Sequence, residues 1–204
     1  MKTSLLYCFL SIAISAFGQR DVEIIKQIDS LNTTASIYFN NGDIVESFND
    51  FSKSQALPLS VEGNYGLAFS SLNLGNIYLS MEQETAAENS YKSALEAAEE
   101  AKDYTLIAAS KLRLANIYKN QKAYSSAISY FESALKGSAE YLKNEQDKSK
   151  KQLNQVFFYT QIGLSEAYIL KNQLDEALIN LLKSEEILQQ NDLGSYSRVY
   201  FNYM

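Results

Sequence analysis

Four tyrosines frame this chain: Tyr38, Tyr78, Tyr118 and Tyr168. Three residues before each stands a small one, Ala35, Gly75, Ala115 or Ser165. Nine residues after each stands another, Ser47, Ala87, Ala127 or Ala177, and sixteen after a third, Ser54, Ala94, Ala134 or Ser184. Thirteen beyond each tyrosine sits a bulky residue: Phe51, Tyr91, Phe131 or Leu181. A fourfold recurrence of small and large side chains at fixed offsets means one supersecondary unit used repeatedly. Such a unit cannot bury its apolar face alone, so copies must stack, and the fold is a solenoid.

The periodicity inside each unit is helical. Leu72, Gly75, Tyr78 and Leu79 share one helix face, as do Ala87, Tyr91, Ala94 and Leu95. Breaks fall at Asn40–Asp43, Ser80–Glu84, Asn120–Lys122 and Lys171–Gln173, where Asn, Gly and other polar residues end helices readily. Alternating β-branched runs are lacking, so no strand is expected. Helices are expected near 21–40, 44–57, 61–80, 84–101, 104–120, 124–142, 147–171, 174–190 and 193–204. Pro58 follows the second, where the chain must leave helical geometry.

The segment Leu74-Gly75-Asn76-Ile77-Tyr78, followed by Ala87, Tyr91 and Ala94, resembles the tetratricopeptide repeat. Leu114-Ala115-Asn116-Ile117-Tyr118 with Ala127, Phe131 and Ala134 is a second good copy. The first unit departs from the pattern at Ser47 and Ser54, and the fourth at Leu181, where an aromatic residue is usual. The spacing departs too: about 34 residues is usual, whereas the tyrosines here lie 40, 40 and 50 apart. The added residues fall between hairpins and lengthen helices, as in a longer-helix subgroup of the family. HEAT repeats have periods of about 40–47 residues but lack this small-and-aromatic code. The resemblance implies an all-α, right-handed superhelical solenoid of antiparallel helix hairpins. Repeats would cover about 21–58, 61–101, 104–142 and 147–190, with a partial fifth at 192–204. Small residues let helices approach closely, and each ring between them buries about 150–250 Å².

The N-terminus reads as an export signal over residues 1–18. Lys2 supplies a positive start, Leu5–Phe17 an apolar run of 13 residues, and Ala16-Phe17-Gly18 a small-residue cleavage site before Gln19. A membrane-spanning helix needs about 20 apolar residues, so no span is expected in this segment. Cys8, the only cysteine, lies within the apolar run, and the mature chain would have no thiol. An exported, periplasmic or extracytoplasmic location follows as an expectation.

Composition argues against catalysis. There is no His, so the commonest general base and metal ligand is missing. The carboxylate pairs Glu99-Glu100, Asp175-Glu176 and Glu185-Glu186 occupy adjacent helical positions about 100° apart and do not converge. Asn41-Gly42-Asp43 is a turn and no phosphate cradle follows it. Asn32-Thr33-Thr34 matches a glycosylation acceptor by pattern alone, and Lys148, Lys150 and Lys151 read as a solvated helix face. No catalytic residue, cofactor or metal is expected. A net charge of −6 excludes an electrostatic footprint for nucleic acid.

The family resemblance implies instead a concave groove lined by the first helix of each pair. Its residues would be Phe69, Leu72, Asn76, Leu79 and Ser80, then Ala109, Leu112, Asn116, Lys119 and Asn120, then Tyr159, Ile162, Glu166, Ile169 and Leu170. Asn76 and Asn116 suit both sides of a peptide backbone, since an amide donates and accepts. Leu72, Leu112 and Ile162 stand where a carboxylate-gripping subgroup carries Lys or Arg, which favours an apolar or amphipathic guest. Tyr196, Val199, Tyr200, Phe201 and Tyr203 form an apolar C-terminal helix suited to a further repeat or to self-association. The expected role is an exported protein-interaction module, resembling the extracytoplasmic part of bacterial sensor kinases and membrane-linked regulators. A free-standing periplasmic scaffold for envelope protein assembly is the alternative.

Overall fold

The computed structural model describes residues 2–57, 64–139, 147–191 and 193, with side chains given for 21–57, 64–136, 150–191 and 193. The described residues form eight helices and no strand. They are α1 (Lys2–Asn41), α2 (Ile44–Ala56), α3 (Asn64–Ser80), α4 (Glu84–Ala101), α5 (Tyr104–Asn120), α6 (Tyr124–Ala139), α7 (Asp147–Leu170) and α8 (Leu174–Gln190). Pro58, the polar run at 143–146 and, apart from Leu193, the expected fifth-repeat helix over 193–204 lie outside the described residues.

Two elements are longer than periodicity predicts. α1 reaches back to Lys2 and does not start near residue 21. Gly18 is the weakest helix former between Leu5 and Gln19, and about 1 kcal/mol of lost propensity does not end a helix. α7 has 24 residues against 17 in α3 and α5, which absorbs most of the longer spacing before Tyr168.

Helices pair as antiparallel hairpins, α1 with α2, α3 with α4, α5 with α6 and α7 with α8. Each hairpin leans on the next through α2–α3, α4–α5 and α6–α7, and first helices also touch along α1–α3, α3–α5 and α5–α7. The small residues do what their size predicts: Ala35, Ala87, Ala94, Ala115, Ala127, Ala134 and Ala177 are all buried. Phe51, Tyr91 and Phe131 lie between the two helices of their hairpins at no more than 1% exposure. At two of the four places where serine replaces alanine, its hydroxyl finds a carbonyl across the hairpin. Ser47 Oγ donates to the Ala35 carbonyl at 2.9 Å and Ser165 Oγ to the Ala177 carbonyl at 2.8 Å. A buried hydroxyl without such a partner costs about 1–3 kcal/mol; Ser184 Oγ donates within its own helix to the Leu181 carbonyl at 2.7 Å, and Ser54 Oγ is buried with no partner among the described residues.

The framing tyrosines join one repeat to the one before. Tyr78 meets Phe48 of α2 edge-on at 5.5 Å. Tyr118 donates to Glu88 Oε1 on α4 at 3.2 Å, and Tyr168 donates to Glu132 Oε1 on α6 at 3.0 Å. Their carbonyls also close the hairpin turns. The N–H groups of Asp43, Gln83, Ala123 and Gln173 each donate to the tyrosine five residues back, at 2.8–2.9 Å. That is the outer bond of a Schellman C-cap, which needs a left-handed residue inside it. Gly42, Glu82, Lys122 and Asn172 fill that position with φ of +60° to +85°. Glu82 and Lys122 do so without the freedom of glycine, at about 1–2 kcal/mol each.

Candidate functional site

The first helices of repeats two, three and four enclose a cleft of about 560 Å³. Its walls are Leu72 from α3, Ala109, Leu112, Arg113, Asn116 and Lys119 from α5, and Gln155, Val156, Tyr159, Gly163 and Glu166 from α7. Residues three and four apart on a helix lie on one face, so the α5 set 109, 112, 113, 116 and 119 forms a single stripe. α7 approaches closely because Gly163 lies over the Phe131 ring, where a Cβ would stand 2.6 Å from Cζ.

Lys119 Nζ donates to Glu166 Oε2, an ion pair that ties α5 to α7 and cancels both charges. Arg113 is exposed and carries no ion pair among the described residues. It lies near enough to the Tyr91 phenol to favour its ionisation slightly. Burial outweighs that effect and pushes the phenol up to about 12. The cleft therefore presents one uncompensated positive charge.

The two groove asparagines differ. Tyr91 Oη donates to Asn76 Oδ1 at 2.9 Å, so the acceptor of Asn76 serves the core. The ring at the matching place of the next hairpin is Phe131, which has no hydroxyl. Asn116 is half-buried in the cleft wall, and neither end of its amide is hydrogen-bonded among the described residues.

Seven of the expected groove residues therefore line one cleft: Leu72, Ala109, Leu112, Asn116, Lys119, Tyr159 and Glu166. The others lie elsewhere. Phe69 packs against Phe51, with ring centroids 6.3 Å apart, and Leu79 leans on the core around Tyr91 and Ile117. Ser80, Asn120, Ile169 and Leu170 are exposed beyond the cleft. Ile162 is withdrawn from the groove surface: it is 1% exposed and packs with Phe158 and Leu193. Leu193, just past α8, packs on the α7 face that the groove register assigns to ligand. Arg113, Gln155, Val156 and Gly163 were not anticipated. The stripe through Ala109 and Asn116 was the available signal for Arg113, four residues from the one and three from the other.

The pattern at Asn32 is closed to sugar. Asn32 is 6% exposed, and its Nδ2 donates to the Gly66 carbonyl at 3.1 Å. Among the described residues no group of three or more metal-ligating side chains converges, and no helix is long and apolar enough to cross a membrane.

Comparison with known proteins agrees with this architecture. A family model for the tetratricopeptide repeat matches residues 66–140. No curated protein matches the sequence. Among solved structures, the apo form of RapI superposes with a TM-score of 0.67 at 17% identity, over 87% of this chain and 64% of that one. The chain thus spans under two thirds of RapI. BtubC from P. vanneervenii superposes with a TM-score of 0.50 at 15% identity, over 88% of this chain and 87% of that one. At such identities the likeness defines a fold. This is a tetratricopeptide-type helical solenoid, an architecture that generally serves as a protein-interaction module and not as a catalyst.

Proposed function

We propose that this chain is an exported interaction module that holds an extended or helical segment of a partner protein in the cleft between α3, α5 and α7. The observation that carries this reading is the pair Arg113 and Asn116, charged and polar groups in the cleft wall that have no ion pair or side-chain hydrogen bond among the described residues. Apolar surface from Leu72, Val156 and Tyr159 supplies contact area, and the free amide and guanidinium supply orientation. Export is supported by the Lys2, Leu5–Phe17 and Ala16–Gly18 leader. A place within a larger signalling protein or assembly is supported by α8, whose Leu174, Leu178, Ile179 and Leu182 are all more than half exposed. At the places of Leu174 and Leu178 the earlier repeats carry Ile44, Phe48 and Ile128, which are half-buried or buried on a face met by the next first helix, as where Phe48 packs against Tyr78. A following repeat, or a second copy of the chain, would cover it here.

The test is selection of a displayed random peptide library on the chain, followed by titration of enriched peptides. Arg113→Ala with Asn116→Ala should weaken them at least tenfold while leaving the helical circular dichroism unchanged. No enrichment, or peptides that bind the double variant equally, would overturn the reading.

A further inference from the structure

A second cleft of about 430 Å³ opens on the same helix layer, between α1 and α3. Asp29, Asn32, Thr33, Ser36, Ile37 and Asn40 line it from α1, and Tyr65 and Phe69 from α3. Phe69 stands three residues before Leu72 of the main cleft, a rise of about 4.5 Å along α3, so the two recesses adjoin.

Their chemistry is opposite. Asp29 is the one charged residue lining the second cleft; it is exposed and has no ion pair among the described residues. The Tyr65 phenol is held above its ordinary value by burial first, then by the carboxylates of Asp103 and Asp29, so both lie near the ring. Asn32 provides an independent sign of an absent donor. Its Nδ2 is satisfied by Gly66, but its Oδ1 is buried without any hydrogen-bond partner among the described residues. A sheltered acceptor with no donor is a standing penalty that a ligand N–H removes. Two aromatic rings, a free carboxylate and an orphaned acceptor form a set that suits a flat, many-donor cation.

We propose that the α1–α3 cleft is a second subsite, which takes the guanidinium or ammonium of a basic side chain on the partner segment. In drawing that side chain from the partner segment it rests on the reading above. Asp29 pairs with the charge, Tyr65 and Phe69 pack on the group and its stem, and small adjustment of the cleft wall lets an N–H reach Asn32 Oδ1. With Arg113 in the neighbouring cleft, the concave face then reads a basic residue followed by an acidic or carbonyl-rich one, and so fixes the direction of the guest.

Two small probes separate the two claims by NMR titration of the full ¹⁵N-labelled chain. N-acetyl-arginine amide should shift the Asn32 side-chain amide and the backbone of Tyr65–Phe69 saturably. Asp29→Asn should weaken that binding at least fivefold, and Tyr65→Ala should do the same. N-acetyl-glutamate amide should instead shift Arg113 and Asn116 and be indifferent to Asp29→Asn. Failure of the arginine probe to shift the α1–α3 cleft, or equal binding to Asp29→Asn, would overturn the second subsite. Failure of the glutamate probe alone would count against the main cleft and leave the second subsite standing.

Discussion

Replacing Gly75 with alanine is the most direct test of the packing code. A Cβ at Gly75 would stand 2.4 Å from Cε1, 2.6 Å from Cδ1 and 2.9 Å from Cζ of Tyr91. That ring cannot swing away, because it is fully buried and its hydroxyl is bonded to Asn76 at 2.9 Å. Overpacking of this kind costs about 1–3 kcal/mol, and loss of the hydroxyl bond adds about 1 kcal/mol. Alanine returns about 1 kcal/mol of helix propensity. The net loss is roughly 1–3 kcal/mol, a fall in Tm of about 2–4 °C per kcal/mol at this chain length. Urea unfolding followed by circular dichroism should be run in two backgrounds, wild type and Tyr91→Val, which removes the ring atoms beyond Cγ. In the second background Gly75→Ala should be neutral or stabilising by about 1 kcal/mol. An equal penalty in both backgrounds would refute the steric account and the register that places Gly75 under Tyr91.

The Tyr91 phenol, raised to about 12 by burial, is neutral in the folded chain well above the pH at which it ionises when unfolded. Its contribution to stability, of order 2–3 kcal/mol, is whole below pH about 10 and is lost as pH rises through the folded value. Alkaline denaturation should therefore begin near pH 10 and be blunted in Tyr91→Phe, read by urea midpoints across that range. The helix-start residue Asp103 should show a different cost from its counterparts. Asp103 Oδ1 accepts from the Leu106 N–H at 2.8 Å, whereas Asp43, Gln83 and Gln173 make no such capping bond. Asp103→Ala should lower stability by about 1 kcal/mol and Gln83→Ala should leave the Tm unchanged.

The fold was legible because its signal is steric. Offsets of nine, thirteen and sixteen residues from each tyrosine repeat through the chain, and each names a buried residue except in the fourth repeat, where Leu181 is half-buried. Substitutions such as Ser47 weakened the pattern without breaking it, since a serine hydroxyl can be silenced by the Ala35 carbonyl. Turn positions were visible as polar breaks, but the left-handed conformations of Glu82 and Lys122 were not, because neither residue favours them locally. The groove was partly legible for the same helical reason. Asn76 and Asn116 look equivalent in sequence, and only the hydroxyl of Tyr91, absent from Phe131, tells them apart. Ile162 does not line the cleft because it is buried in a cluster with Phe158 and Leu193, a contact that repeat spacing does not announce. The cleft between α1 and α3 follows the same register: Asp29, Asn32 and Ser36 precede Tyr38 by nine, six and two residues, as Phe69, Leu72 and Asn76 precede Tyr78.

The walls of the main cleft belong to three successive repeats, so its width and the bend of the rod are one mechanical coordinate. A guest that grips α3 and α7 together draws those units inward, and one that wedges between them unrolls the rod. On the proposed function, occupancy of the cleft would change the angle at which the far end, with its exposed leucines on α8, is presented.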